Sequence, residues 1–480
     1  MMRQTLVPCL AAVTLMTFVP FCAAATPPNY KSFGREQRIS HHPDPDSVLR
    51  IWVVYVGQGD GIVIQLPKAY DYDAWEGDDE EVSERVDILV DGGSFRRSNA
   101  NRLRDFVHAL YAHDDKIIEH AVVTHHDMDH VAGLTQVLAE DPGIGIETVY
   151  HNGLASYRGG ERGFPRTGDA SGFVHKKKGQ RIDRAMARFE DGVPPDDGER
   201  PALASRDLIG NLAGLRRARD NGELHGVYDR LADAILDKAS PFPVESFPRS
   251  FAGEGFISER EQDLMRVSGE GAPHFALLWP LQELRRYTYK GRGQRAWSYT
   301  INGNSLTFLL EYGGFRMLFT GDHNDDSEKA LLAHLKESGD TALLDYDVLK
   351  VPHHGSSHGI PSFFRRQTDS GSAPRPVVSV ASQGEHGARS YKHPSPEVTS
   401  WLGGAHRVYH TQVHEKRFQW KDIETQADYR RLYERSHVLV ETDGTWFRVV
   451  EVPLDWGDLD HPPTVESTAR GNGTRWIVAD

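Results

Sequence analysis

Three imidazoles and two carboxylates fall within six residues in the run Thr124-His125-His126-Asp127-Met128-Asp129-His130. These are the side chains that bind hard or borderline divalent metals. Four further segments share the arrangement, apolar residues followed abruptly by polar ones. Leu318-Phe319-Thr320-Gly321-Asp322 ends in a carboxylate, and Leu349-Lys350-Val351-Pro352-His353-His354-Gly355-Ser356 in two imidazoles. Tyr391-Lys392-His393-Pro394-Ser395 follows the apolar stretch at Val377, and Asp91-Gly92-Gly93 ends an early one. Each alone has a bland reading: Asp322 could cap the helix beginning near Ser327, and His393 could be a turn residue. Five such strand ends in one chain are hard to reconcile with independent accidents.

The elements that must position these residues follow from periodicity. Ile117–Val123 reads as a mostly buried strand, and Val131, Leu134, Val137 and Leu138 as the apolar face of a helix. The His/Asp run thus sits on a strand-to-helix turn at the carboxyl edge of a sheet, where α/β proteins place their chemistry. Ile51–Val56 and Ile62–Leu66 form a hairpin around Gly57-Gln58-Gly59-Asp60-Gly61. Val86–Val90 is a strand, and Leu103, Phe106, Val107 and Leu110 follow at helical spacing. Strands are also expected at Phe275–Trp279, Val348–Val351 and Val377–Ala381, with hairpins about Gly313-Gly314 and Asp443-Gly444. The fold class is α/β.

The segment 156–268 changes character: Pro, Gly and charged residues dominate, interrupted by Val227, Leu231 and Ile235 at helical spacing. It reads as an insertion, a lid or specificity arm, within a domain spanning 48–455, and 456–480 reads as a peripheral tail. Residues 1–25 read as a signal peptide, with Arg3, an apolar stretch from Leu6 to Phe21 and small residues at Ala23–Ala25. Both cysteines, Cys9 and Cys22, fall inside it. A periplasmic or secreted product without thiolates is therefore expected, its metal ligands restricted to His, Asp and Glu. The net charge of −14 argues against indiscriminate attraction to DNA or anionic membrane.

The order of the segments resembles the metallo-β-lactamase fold superfamily and, within it, the ComEC-type competence proteins. The resemblance rests on Val56-Gly57-Gln58-Gly59-Asp60, Asp91-Gly92-Gly93, Thr124-His125-x-Asp127-x-Asp129-His130 and Asn302-Gly303-Asn304-Ser305-Leu306. It continues through Phe319-Thr320-Gly321-Asp322, His353-His354-Gly355-Ser356 and His393-Pro394-Ser395. The resemblance implies an αββα sandwich with two divalent metal ions, Zn or Mn with Fe or Mg also admitted, along one edge of the sheets. It places His125 and Asp127 on the first ion, Asp129 and His130 on the second, and Asp322 between them. The His353-His354 pair would supply at least one ligand. Asp129, His354 and His393 are the expected catalytic groups, and Asp91 is expected to orient a ligand imidazole. His126 faces the opposite way and is left out. Asp127 stands where the superfamily more often has His, which hardens the site. A further His before Asp322 has no clear match, His151 being a weak candidate.

A two-metal site of this kind hydrolyses phosphodiesters, phosphomonoesters, thioesters, lactones or β-lactams, and the ligands do not choose among them. The run from Arg285 to Trp297 has five positive charges, no acids and three aromatics, a pattern that suits a single strand of nucleic acid. Arg285, Arg286, Lys290, Asn304 and Ser356 are accordingly candidate substrate contacts. The favoured expectation is an exported metal-dependent phosphodiesterase or nuclease. A carboxyl-ester, lactone or β-lactam hydrolase and a non-catalytic binding module are the alternatives.

Overall fold

Buried strands with both faces covered read as continuous apolar runs, and this chain is built from them. The computed structural model describes residues 48–67, 86–93, 97–110, 117–140, 144–158, 208–237, 271–280, 296–357, 378–384, 393–402, 408–412 and 435–454. It also describes the short strands 166–167 and 477–478 and single positions between 244 and 287. All of them belong to the compact unit Glu36–Asp480.

Chain order among the described residues begins β1 (Leu49–Val53), β2 (Ile62–Gln65), β3 (Asp87–Val90), α1 (Arg97–Leu110), β4 (Ile117–Val123), α2 (Met128–Glu140) and β5 (Gly145–His151). The short pair β6 (Ser156–Tyr157) and β7 (Arg166–Thr167) precedes α3 (Leu212–Asp220) and α4 (Gly226–Leu236). Next come β8 (His274–Trp279), α5 (Ala296–Gly303), β9 (Thr307–Tyr312), β10 (Phe315–Phe319), α6 (Asp325–Ser338), β11 (Val348–Lys350) and β12 (Val378–Ala381). The chain closes with α7 (Pro396–Trp401), β13 (Val408–His410), β14 (Ser436–Thr442), β15 (Trp446–Pro453) and β16 (Ile477–Val478).

The first sheet runs β16-β15-β14-β1-β2-β3-β4-β5 and the second β13-β12-β11-β10-β9-β8. Within the first, β3, β4 and β5 are parallel; within the second, β10 to β13 are. Alternate residues of the two sheets meet in one core. Ile51, Val53, Ile62, Ile64, Ile88, Val90 and Val122 pack against Phe275, Leu277, Phe308, Leu310, Phe315 and Met317. Each fully buried phenylalanine contributes about 1.5–3 kcal/mol. The intervening residues face outward. Trp52, Val63, Leu89, Ala121 and Val123 are covered by α1 (Leu103, Phe106), α2 (Leu134, Val137) and α4 (Leu231, Ile235). Ala276, Leu278, Leu309, Leu318 and Leu349 are covered by α6 (Leu331, Leu335) and α7 (Val398). The layers are α, β, β, α, the sandwich expected from the sequence.

The strand at Gly145–His151 and the helix at Ala296–Gly303 are additions to the sequence reading, and the helix near Ser327 begins earlier than expected. Its cap is Asn324, not Asp322. The Asn324 side chain accepts from Ser327 N (3.0 Å), and Asn324 N donates to Ser327 Oγ (3.1 Å), a reciprocal capping box. Asp322 is thereby left for other work. No helix of the described residues is long and apolar enough to cross a membrane.

One turn into α6, Glu328 is buried and its Oε2 has no hydrogen-bond partner. Burial, reinforced by Asp325, pushes its carboxyl well above the usual range. A carboxyl with a raised folded pKa favours folding at low pH, and that contribution is lost as pH rises from the unfolded value toward the folded one. Glu328→Gln should therefore match the parent near pH 4.5 and exceed it by about 1 kcal/mol or more near pH 8, since a buried unpaired group costs about 1–3 kcal/mol. Urea unfolding at the two pH values checks this.

Candidate metal centre

The parallel strands of both sheets end at one edge, where Leu306 N donates to Thr124 O (2.9 Å) and joins them. At this edge β4 passes into α2. Asp127 O accepts from His130 N (3.0 Å) and Val131 N (3.2 Å), so Asp129 and His130 lie in the helix's first turn while His125 precedes it. The turn after β10 presents Asp322, whose N–H is held by Ser305 Oγ (3.2 Å). The turn after β11 presents His353 and His354, with His353 N bonded to Gly321 O (3.1 Å).

Asp322 is where these turns converge. Its Oδ1 lies 3.1 Å from His130 Nε2 and 3.4 Å from His354 Nε2, and its Oδ2 lies 3.9 Å from His125 Nε2 and 3.7 Å from His353 Nε2. His354 Nε2 is also 3.7 Å from Asp129 Oδ2. The imidazoles are oriented from behind. Asp91 Oδ2 lies 2.8 Å from His130 Nδ1, and Asp91 also accepts from Thr124 N (2.8 Å) and Thr124 Oγ1 (2.6 Å). His354 Nδ1 faces the carbonyl of Ser382 (3.0 Å), which can only accept, so Nδ1 carries a proton and Nε2 is the nitrogen left for a metal.

Among the described residues, the non-glycine positions with positive φ are Asp91 (57°), His353 (47°) and His354 (53°), all of them at this edge. Such strain costs of order 1–3 kcal/mol per residue and persists where the surroundings over-determine it.

Charge follows the geometry. Burial would raise the Asp322 carboxyl, but the His354, His130 and His353 charges hold it well below the usual range. Burial alone would lower His130, yet the Asp322 and Asp91 carboxylates hold it well above its usual value. Burial pushes His125 well down, and the positive charge of His130 adds to this.

His125 Nε2, His130 Nε2, His354 Nε2 and Asp322 Oδ1 are buried without a hydrogen-bond partner. They converge in overlapping groups, His125–His130–Asp322 and Asp129–His130–His354, whose ligand atoms lie within 4.8 Å of one another. Nitrogen and oxygen donors that face chiefly one another across a buried space fit a divalent cation, and the absence of sulfur from the donor set suits Zn, Mn, Fe or Mg.

The structure thus brings together His125, Asp129, His130, Asp322, His353 and His354. Asp127 is half-buried just before α2 and enters none of these groups. His393 stands beside them, its ring centroid 5.5 Å from that of His353 and 6.5 Å from that of His354. His151 also enters none; its Nδ1 accepts from Gly153 N (2.9 Å). His126 turns away, bonding Ser156 Oγ (2.9 Å) and meeting the Tyr228 ring edge-on, and burial pushes it down to about 3.

Arg285, Arg286 and Lys290 lie outside the described residues. Asn304 stands just after α5. It is fully buried, and its amide donates to Thr300 O (2.7 Å), which fastens it to the last turn of α5. Ser356 is likewise buried, and its N–H bonds His353 O (2.8 Å). Sequence reasoning gave no role to Asp60 or Lys350. The available signal was a charge between Leu349 and Val351 in an otherwise apolar strand.

No protein-family profile matches the chain, and no curated protein does. Among solved structures, the chain is similar to the metallo-beta-lactamase fold protein YhfI from Bacillus subtilis, with 10% identity and a TM-score of 0.30. That match covers 76% of this chain and 97% of that one.

Proposed function

We propose that this chain is an exported, metal-dependent hydrolase of the metallo-β-lactamase superfamily, akin to the ComEC-type domains, and that it cleaves phosphodiesters, nucleic acid among them. The observation that carries the metal-dependent part is the convergence of buried, unpartnered His and Asp donors on Asp322. Divalent ions at such a site lower the pKa of a bound water and neutralise charge developing on a phosphoryl or carbonyl oxygen. The chain's own residues do the rest. Asp91 holds the His130 ring, the Ser382 carbonyl holds a proton on His354 Nδ1, and His393, beside His353, is the proton donor of this reading.

The preference for phosphodiesters rests on the basic, aromatic run 285–297. Tyr287 within it is buried and exchanges hydrogen bonds with Thr300, its N–H donating to Oγ1 (3.1 Å) and its carbonyl accepting from Oγ1 (3.0 Å). Thr300 lies in α5, four residues before Asn304 and five before the Ser305 that holds Asp322. Tyr287 is thereby tied to an element that touches the site.

Single-stranded DNA and bis(p-nitrophenyl) phosphate should be turned over with added Mn²⁺, and a chelator should stop the reaction. Asp129→Ala should lower kcat/KM by about a hundredfold or more, the scale of a lost charge-stabilising group. Turnover of lactones with none of phosphodiesters would overturn the substrate reading. Bound metal without turnover of either class would favour a binding module.

A further inference from the structure

Lys350 is a lysine inside a buried strand. Its side chain is 1% exposed, and it borders the metal cluster without being able to bind a cation. Its ammonium lies 2.7 Å from Asp60 Oδ2 and donates to Val351 O (2.9 Å). Asp60, equally buried, uses its other oxygen toward the site: Oδ1 accepts from the Ser382 hydroxyl and lies 3.4 Å from His354 Nδ1. The edge thus holds two carboxylate–imidazole pairs, Asp91 behind His130 and Asp60 behind His354, and among the described residues only the second is backed by a lysine or arginine.

Asp60 lies within 4.8 Å of ligand atoms of both Asp322 and His354, close enough to be drawn into the metal cluster itself. An ammonium on one oxygen and a hydroxyl on the other leave it no free charge to offer a second cation. The same contacts keep Asp60 at the back of His354, where it favours the Nδ1–H tautomer.

Building on the metal-centre reading, we propose that Asp60 and Lys350 are a positioning pair: Asp60 fixes His354 with Nε2 toward the metal, and Lys350 holds Asp60 to that task and out of the metal's coordination. A purely structural ion pair would fasten the loop before β2 to β11 and would leave the metal affinities of the folded protein alone.

Calorimetric titration of the metal-free full chain with Zn²⁺ separates the two. In Asp60→Ala/Lys350→Met, which leaves no unpaired buried charge, one of two Zn²⁺ affinities should fall about 10–100-fold, the usual effect of losing a partner behind a ligand histidine. The other should stay within about threefold. Asp60→Asn/Lys350→Met keeps an acceptor for Nδ1–H and should recover most of the loss. Lys350→Met alone should weaken the same affinity by releasing Asp60. Unchanged affinities in these variants, with two ions bound by the parent, would overturn the positioning role and leave the metal centre standing. A parent that binds no Zn²⁺ would sink both. Should the variants fail to fold, spectra of the ¹³C,¹⁵N-labelled, Zn²⁺-loaded parent decide: His354 Nδ1–H coupled across its hydrogen bond to the Asp60 carboxylate supports the pair, and coupling to the Ser382 carbonyl alone, or metal on Nδ1, overturns it.

Discussion

Asp322→Asn is expected to abolish hydrolysis and to empty the His125–His130–Asp322 group, a loss of at least about a thousandfold in kcat/KM. Four imidazole nitrogens lie 3.1–3.9 Å from its two oxygens, so no other side chain at the edge is shared so widely. Asparagine keeps the shape but removes the charge and puts an N–H₂ donor where a lone pair stood. Metal-assisted charge stabilisation is worth several kcal/mol, and each 1.36 kcal/mol is a factor of ten. The fold should survive, because Asp322 stands on a turn whose backbone is fixed by Ser305 Oγ and whose neighbouring helix is capped by Asn324. Metal analysis of the purified variant, with far-ultraviolet circular dichroism as the check on folding, tests the prediction. Retained metal and retained turnover would remove Asp322 from the centre.

That Asp322 belongs to the site was legible because it ends an apolar run, as do His125 and the His353-His354 pair. A strand end at the carboxyl edge of a parallel sheet is a local feature, visible in a dozen residues. The Asp60–Lys350 pair is not. Lys350 reads as an ordinary charge until β11 is known to be covered on both faces. Asp60 meets Ser382 across a separation of 322 residues, which no local pattern encodes. The strands were legible as apolar runs, but which alternate residues face the other sheet was not, since Ile51 and Trp52 are equally buried. Asp127 shows the opposite limit. An alternating His-x-Asp-x-Asp string implies one shared face only in an extended strand, but β4 ends at Val123 and α2 begins at Met128, so alternation does not decide where the Asp127 side chain points.

The second large effect concerns Gly133, where two rules give opposite signs. Glycine inside a helix is about 0.8–1.0 kcal/mol worse than alanine, so Gly133→Ala in α2 would ordinarily stabilise. A Cβ at 133, however, would meet Gly92 O at 1.7 Å, and one at Gly92 would meet Leu134 N at 1.9 Å. Both obstacles are backbone, so no side chain can rotate away. The Asp91–Gly93 turn rests directly on α2, with Gly92 N bonded to His130 O, and a methyl group must push the two apart. Overpacking costs about 1–3 kcal/mol or more, which outweighs the helix gain. The displacement also acts on the site, because Asp91 on this turn lies 2.8 Å from His130 Nδ1. Gly133→Ala should therefore lower stability by about 2 kcal/mol and weaken metal binding about 10–100-fold, as loss of a histidine's carboxylate partner does. Gly214→Ala in α3 is the control: its nearest neighbour would be Asn211 Oδ1 at 3.6 Å, an ordinary contact, so it should gain up to about 1 kcal/mol and leave the metal untouched. If both substitutions stabilised the protein equally, the turn would not press on the helix, and Asp91 could not be holding His130 by that means.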